Sequence, residues 1–188
     1  MLKQVTEKMM LEANGKEIGV RSEHWIYLTN LKAYNEGYLL GVYLYLPFSE
    51  KMLEEAYQAI YVGNEFINEF GESYEEYFIT DYDLPFDIGE YDFPQAIAEK
   101  YCMISDYLGY PREVIKVITD NLDCDINIME LDHSIRGSEE EKLGYALVDM
   151  GYFEIPNNLL NYIDYEVIGK EYLMNVGGEF VESYFVEF

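Results

Sequence analysis

The sequence has little positive charge, and one long stretch has none. Residues 52–99 hold 13 Asp or Glu and no Lys or Arg, and the 188-residue chain has 37 acids against 12 bases, a formal net charge of −25. A folded protein with such one-sided charge repels itself. The first candidate for a partner that justifies this charge is therefore a positively charged one.

Cysteines and long apolar runs are also scarce. Cys102 and Cys124 are the only two thiols; they form no disulfide framework, and we interpret them as small buried side chains in the reducing cytoplasm. The longest apolar run, residues 38–48, is shorter than the roughly 20 residues of a membrane helix. No basic segment followed by an apolar one opens the sequence. We therefore expect a cytoplasmic protein with no membrane partner.

Motifs for catalysis or metal binding are missing as well. The only two imidazoles, His24 and His133, are interpreted as structural or surface groups. Asp123–Asn127 resembles the start of a calcium loop, but Ile128 and Ser134 replace its required Gly and Glu. With 37 acids, some pair always fits the spacing for glycoside hydrolysis, so that spacing is uninformative. We predict a protein that is not an enzyme and holds no cofactor or metal.

Apolar residues are plentiful, at 49% of the chain with 16% aromatic, which argues against disorder. Alternation predicts strands at 24–30, 39–46 and 77–80, and helical spacing predicts a helix after Ser49. The apolar face of this helix comprises Leu53, Ala56, Tyr57 and Ile60. These elements predict a small N-terminal antiparallel sheet with one helix.

The second half of the sequence predicts further helices and a final hairpin. Asp92 and Pro94 predict one helix start, and Pro111 predicts another. A strand at 125–131 precedes a helix capped by Ser138, and Pro156 and Asp164 predict two short helices. The chain is expected to end in a hairpin, with strands 171–176 and 179–188 joined by Gly177-Gly178. The fold class is therefore α+β.

The density of negative charge is close to that of DNA. Duplex DNA carries one charge per about 1.7 Å of axis, so 25 charges match about 42 Å, or about 12 base pairs. A compact chain of this length is also about 40 Å across. The acids alternate with apolar residues and so belong to folded elements. Composition therefore makes a DNA-like surface plausible but specifies no target.

Three segments resemble the ArdA antirestriction family in order and spacing. They are YLTNLKAYNEG at 27–37, ITDYDLPFDIGEY at 79–91 and NYIDYEVIGKEY at 161–172. The resemblance covers roughly residues 24–188. Two features depart from the family pattern. Residues 1–24 precede the usual start, are neutral in charge and read as weakly structured, an N-terminal extension or expression remnant. The segment after Pro47 has extra acidic residues around 64–72.

The resemblance implies an elongated mimic of bent DNA that acts as a homodimer, is encoded on mobile elements and has no catalytic activity. Its partner would be the methyltransferase core and specificity subunit of a type I restriction–modification enzyme, with no nucleic acid bound. Three domains would follow the N-terminal extension: an α+β domain at 25–92, a helical middle domain at 93–124 and a second α+β domain at 125–188.

Two groups of functional residues are expected. The carboxylates expected to contact the partner are Glu54, Glu55, Glu65, Glu69, Glu72, Glu75, Glu76, Asp81, Asp83, Asp87, Glu90, Asp92, Asp106, Glu113 and Asp120. The family's antirestriction motif would fall on residues 143–153, near the dimer interface. Its residues are Leu143, Tyr145, Ala146, Leu147, Met150, Gly151, Tyr152 and Phe153.

Alternatives remain open at the level of sequence. The mimic could target another DNA-binding protein, such as a CRISPR effector, because a mimic copies DNA and not its reader. The chain could also be a non-catalytic acidic interaction protein whose charge only maintains solubility. An acidic metal-binding protein is a third alternative. Finally, the apolar face of Leu143, Ala146, Leu147 and Met150 could pack inside its own domain instead of forming a dimer.

Overall fold

The computed structural model describes residues 2–188, and the chain forms two compact units, Met1–Asp106 and Tyr107–Phe188. In the described part there are seven α-helices and ten strands in three small sheets, which confirms the α+β class. The first unit contains β1 (Lys3–Gln4), α1 (Glu7–Ala13), β2 (Lys16–Ile18), β3 (Trp25–Asn30), α2 (Leu31–Asn35), β4 (Gly41–Tyr45), α3 (Glu50–Ala59), β5 (Gly63–Ile67), β6 (Ser73–Tyr74), β7 (Tyr77–Asp83) and α4 (Pro94–Met103).

The larger sheet of the first unit has the order β2-β4-β3-β7. The β3–β4 and β3–β7 pairs are antiparallel, as the sequence predicts, whereas β2 joins β4 in parallel, so the sheet is mixed. Ile26 and Leu28 alternate with less buried neighbours along β3 and are fully buried with Val42 and Leu44. This alternation gives the sheet one core face and one outer face.

Helix α3 supplies the partner for the core face. The Ser49 hydroxyl accepts a hydrogen bond from the Met52 amide and caps the helix, as predicted. Leu53, Ala56 and Ile60 are buried, and α3 contacts β2 and β4. The helical spacing of these residues therefore places one apolar stripe against the sheet.

The N-terminal residues are structured, which contradicts the expectation that residues 1–24 are weakly structured. Strand β1 pairs in parallel with β5, and β2 pairs with β4. Val5, Met10, Ala13 and Ile18 are buried. Local sequence signals missed these strands because each is only two or three residues long and is stabilised by pairing with distant parts of the chain.

The smaller sheet of the first unit, with the order β1-β5-β6, was not predicted. It forms from the acidic segment that follows α3. The amide of Val5 donates to the carbonyl of Ile67 at 2.8 Å, and the Lys3 ammonium lies 5.3 Å from the ring centre of Tyr61. The N-terminal residues therefore hold the acidic segment in place.

The predicted helix after Pro94 is present, but Asp92 does not cap it. Phe93 occupies the N-cap position without a side-chain hydrogen bond, and the Asp92 carboxylate accepts a hydrogen bond from the Gly89 amide at 2.8 Å instead. The interpretation of Cys102 and Cys124 as buried side chains is also wrong, because both are exposed; both are free thiols, as expected.

The second unit contains α5 (Arg112–Asp120), β8 (Asn127–Glu130), α6 (Glu139–Asp149), α7 (Tyr165–Asn175), β9 (Gly178–Val181) and β10 (Tyr184–Glu187). Its antiparallel sheet has the order β8-β10-β9. The core consists of Met129, Leu131, Leu143, Leu147 and Phe185. Helix α4 lies in the first unit and α5 in the second. The helical middle domain and the three-domain division stay predictions.

The predicted strand at 171–176 is wrong, because α7 continues to Asn175. Asp164 caps this helix through the Val167 amide, as predicted. Ile168, Tyr172 and Val176 pack against the core at helical spacing. The hairpin is therefore shorter than predicted and consists of β9 and β10 alone.

Two glycines allow α6 and α7 to pack closely. A Cβ atom added to Gly144 would overlap the carbonyl oxygen of Tyr165, and one added to Gly169 would overlap the carbonyl oxygen of Glu140. Backbone atoms cannot move aside as a flexible side chain does.

No helix among the described residues is long and apolar enough to cross a membrane.

We expect Met10→Ala to lower the free energy of unfolding by about 2–5 kcal/mol, because it leaves a cavity in the core. Met10 is 3% exposed, whereas its neighbour Leu11 is 70% exposed. The matched control Leu11→Ala should change stability by no more than about 0.5 kcal/mol. Urea unfolding followed by circular dichroism measures both variants. Equal effects would contradict the packing of the N-terminal residues.

Candidate protein-binding surfaces

Fourteen of the fifteen carboxylate residues expected to contact a partner are exposed, and Glu65 is half-buried. Each unit carries a similar charge: residues 1–106 have 20 acids and seven bases, net −13, and residues 107–188 have 17 acids and five bases, net −12. Negative charge is therefore not confined to the stretch without bases. We refer to the predicted carboxylates of the first unit, from Glu54 to Asp106, as the acidic surface.

Helix α3 contributes Glu54 and Glu55. They follow the buried Leu53 along the helix, so they point away from the sheet. In the described part of the chain, neither carboxylate has a hydrogen bond or ion pair. Both charges are therefore available to solvent or to a partner.

Asn68 organises the acidic segment between β5 and β6, and it is not among the residues predicted from the sequence. Its side chain is 6% exposed. Its carbonyl oxygen accepts hydrogen bonds from the amides of Phe70 and Glu72 at 2.9 and 3.0 Å, and its amide donates to carboxylates of Glu36 and Glu72 at 3.0 and 3.1 Å. The only sequence signal was an Asn in a turn-prone acidic segment.

Two carboxylates of this segment have fixed positions. Lys32 donates to Glu72 at 2.7 Å, and this hydrogen bond, with that from Asn68, holds the pKa of Glu72 below its ordinary value. Gln58 donates to Glu65 at 2.9 Å and likewise lowers the pKa of Glu65. Glu75 accepts a hydrogen bond from Ser73. Glu69 and Glu76 are exposed beside them.

Strand β7 and the segment after it carry the remaining predicted carboxylates of the first unit. Asp81 and Asp83 are exposed, and the register pairs them with Tyr27 and Trp25. Because paired residues share a face, both carboxylates lie on the outer face of the sheet. Four more of the predicted carboxylates follow, all of them exposed: Asp87, Glu90, Asp92 and Asp106.

In the second unit, Glu113 and Asp120 are exposed on α5. The buried residues Val114, Ile115 and Ile118 form the opposite side of this helix. The amphipathic pattern therefore turns both acids to solvent.

The residues expected to form the antirestriction motif divide into two sets. Leu143 and Leu147 belong to the core, and Ala146 packs against it. These three residues therefore pack inside their own unit, which was the alternative to a dimer interface. The exposed set consists of Tyr145, Met150, Gly151, Tyr152 and Phe153.

The two tyrosines of the exposed set contact neighbouring rings. Tyr145 stacks on Tyr165 with ring centres 3.7 Å apart, and Tyr152 meets Tyr172 edge-on at 5.8 Å. The pKa of Tyr172 is raised mainly by burial and, to a smaller extent, by the hydrogen bond that its hydroxyl donates to Glu187. A pocket of about 540 Å³ lies beside Tyr145 and Phe153.

No group of three or more His, Cys, Asp or Glu residues able to hold a metal ion occurs in residues 2–188. Within the same residues, no buried side-chain nitrogen or oxygen is left without a hydrogen-bond partner. The polar side-chain groups of these described residues therefore face outward or form hydrogen bonds.

Together these features define an acidic α+β protein that displays carboxylates on exposed elements. The family model described as Antirestriction protein (ArdA) matches residues 26–187. The chain therefore belongs to the ArdA antirestriction family, as the three sequence segments indicate. No curated protein sequence matches it significantly. The N-terminal residues that form β1, α1 and β2 precede the match.

The lowered pKa of Glu72 predicts a pH-dependent contribution to stability. A carboxyl group with a lower pKa in the folded state stabilises the protein above its unfolded pKa, and this contribution is lost as the pH falls through the folded pKa. Glu72→Gln should therefore destabilise the protein at pH 7, and the difference from the unmodified chain should shrink towards pH 3. Urea unfolding at both pH values measures this difference.

Glu69→Gln is the matched control, because Glu69 is exposed and makes no hydrogen bond or ion pair within residues 2–188. This control should not destabilise the protein at pH 7, since it only reduces the repulsion among acids. A Glu72→Gln variant that behaves like Glu69→Gln at both pH values would contradict a stabilising role for the contact with Lys32.

Proposed function

We propose that the protein inhibits type I restriction–modification enzymes by occupying the DNA groove of their methyltransferase core and specificity subunit. The observation that carries this proposal is the exposure of 14 of the 15 selected carboxylates in a member of the ArdA family. The protein acts in the cytoplasm, as a binding protein without catalytic activity.

The proposed mechanism is competition through a DNA-like surface. A net charge of −13 on the first unit equals that of about 22 Å of duplex DNA. The Lys and Arg side chains that line the enzyme's DNA-binding groove attract this charge as they attract phosphates. Anions held in the groove are released when the protein binds, so the affinity falls as salt rises.

The mechanism does not depend on any single acid. The carboxylates lie on α3, on the β5–β6 segment and on β7, so the potential that they produce is shared. Hydrogen bonds to Glu65 and Glu72 keep part of the array in a fixed geometry before binding, which reduces the entropic cost of association.

Titration of the protein against DNA in a type I methylation assay tests the proposal. One or two charge-neutralising substitutions should barely change inhibition. A variant that combines Glu65→Gln, Glu69→Gln, Glu72→Gln, Glu75→Gln, Glu76→Gln and Asp81→Asn should lose it. Inhibition should also weaken steeply with salt. If one acid alone proves essential, the shared-charge mechanism is wrong; if the unmodified protein never inhibits, the proposed target is wrong.

We also propose that the protein is a homodimer that associates through the exposed part of the antirestriction motif. Met150 and Phe153 are 53% and 42% exposed at the end of α6. Large apolar side chains grouped at one place on the surface are typical of protein interfaces.

Light scattering during size-exclusion chromatography should give a dimer at micromolar concentration. The double variant Met150→Ser/Phe153→Ser should shift it to a monomer, because it removes apolar contact area. The control Met174→Ser, on a residue that is 83% exposed in the same unit, should remain a dimer. A monomeric unmodified protein would refute the dimer.

A further inference from the structure

The outer face of the larger sheet in the first unit is aromatic. Trp25 and Tyr27 on β3 pair with Tyr45 and Tyr43 on β4. Because side chains alternate along a strand, all four point away from the core face of Ile26 and Leu28. Trp25, Tyr27 and Tyr43 are half-buried, and Tyr45 is buried. These four residues are referred to as the aromatic face.

The rings of the aromatic face are fixed by contacts with each other and with the N-terminal residues. Tyr43 meets Trp25 and Tyr27 edge-on, with ring centres 5.0 and 4.7 Å apart. The Tyr27 hydroxyl donates to the Asn14 side chain at 3.0 Å, and the Tyr45 hydroxyl donates to Glu17 at 3.2 Å. The face is therefore preorganised, and residues that precede the family match help to hold it.

Carboxylates flank the aromatic face on both edge strands. On β2, Glu17 pairs with Tyr43, and on β7, Asp81 and Asp83 pair with Tyr27 and Trp25. Directly paired residues have Cβ atoms about 5 Å apart. The carboxylates therefore lie beside the rings on the same face.

At the β2 edge, a cationic side chain of the protein itself, Arg21, lies beside the aromatic face. Loss of hydration and the contact with Glu17 raise the pKa of Tyr45, and the Arg21 guanidinium beside this phenol opposes the rise. One end of the face therefore combines a guanidinium, a phenol and a carboxylate.

The β7 edge has no such cation. Asp81 accepts a hydrogen bond only from the Tyr82 amide, and neither Asp81 nor Asp83 has an ion pair among residues 2–188. Both are exposed beside the half-buried ring of Trp25. This edge offers negative charge and ring surface together, which complements a planar cation.

We propose that the β7 side of the aromatic face is a docking surface for an arginine-bearing basic segment of the target protein. The guanidinium packs against Trp25 and Tyr27 and donates hydrogen bonds to Asp81 and Asp83. This inference rests on the proposed function, in which the DNA-binding groove of the target is basic. The acidic surface attracts any cation, and the docking surface adds a contact that favours arginine.

Arginine suits this surface better than lysine for two reasons. Its guanidinium is planar and weakly hydrated, so it stacks on aromatic rings with less loss of hydration than an ammonium group. Its fork of N–H donors can also bind a carboxylate with two parallel hydrogen bonds. A contact based on charge alone would not distinguish the two side chains.

Trp25 is the only Trp in the chain, so its fluorescence reports on this surface directly. The full-length protein is titrated with a hexa-arginine peptide and with a hexa-lysine peptide of equal charge. The arginine peptide should change Trp25 emission and bind about fivefold more tightly than the lysine peptide. Equal affinities for the two peptides would overturn the inference.

Matched variants separate this surface from general acidity. Asp81→Asn/Asp83→Asn and Glu54→Gln/Glu55→Gln remove the same charge from exposed positions, and α3 packs on the opposite face of the sheet. Of these two charge variants, only Asp81→Asn/Asp83→Asn should lose the preference for arginine. The ring variant Tyr27→Leu, with its fold checked by circular dichroism, should lose the preference as well. Loss of the preference in both charge variants, or in neither, would overturn the inference.

The result is independent of the inhibition assay. A preference for arginine in a protein that does not inhibit a type I enzyme would support the docking surface and reject the proposed target. Inhibition without a preference for arginine would reject the docking surface and leave the proposed function intact.

Discussion

Repulsion among exposed carboxylates is the constraint that the rest of this protein must satisfy. Each unit carries a net charge of −13 or −12, so each must bury enough apolar surface to offset this repulsion. The first unit does so between its larger sheet and α3, where Ile26, Leu28, Val42 and Leu44 are fully buried, and the second does so around Leu143, Leu147 and Phe185. The acids stay at the surface because an unpaired buried charge would cost several kcal/mol.

The two departures from the family pattern lie in contact with each other. Residues before the family match form β1, and the acidic segment after α3 forms β5, its parallel partner. Asn68 then joins the backbone of the acidic segment to Glu36 and Glu72. Acids that would repel each other in a loose loop are thereby ordered by backbone pairing and by one buried amide. The same N-terminal residues supply Asn14 and Glu17 to the aromatic face.

Elements with strong local signals were predictable, and elements stabilised by distant pairing were not. The β3, β4 and β7 strands and the helices capped by Ser49, Ser138 and Asp164 follow from alternation, spacing and capping residues. The short strands β1, β2, β5 and β6 carry no such signal. Residues 171–176 were assigned to a strand because Gly177-Gly178 resembles a hairpin turn, but packing of α7 on α6 through Gly144 and Gly169 favours a helix.

The sequence by itself determined the sign and amount of charge, the α+β class and the family, because these depend on composition and on local motifs. It also selected carboxylates that prove to be exposed, since charged side chains rarely leave water. Only the tertiary structure decided which of Leu143, Leu147, Met150 and Phe153 are core and which are surface. It alone placed Asp81 and Asp83 beside Trp25 and Tyr27. Strand register brings together residues more than 50 positions apart in the sequence, and no local pattern encodes such a pairing.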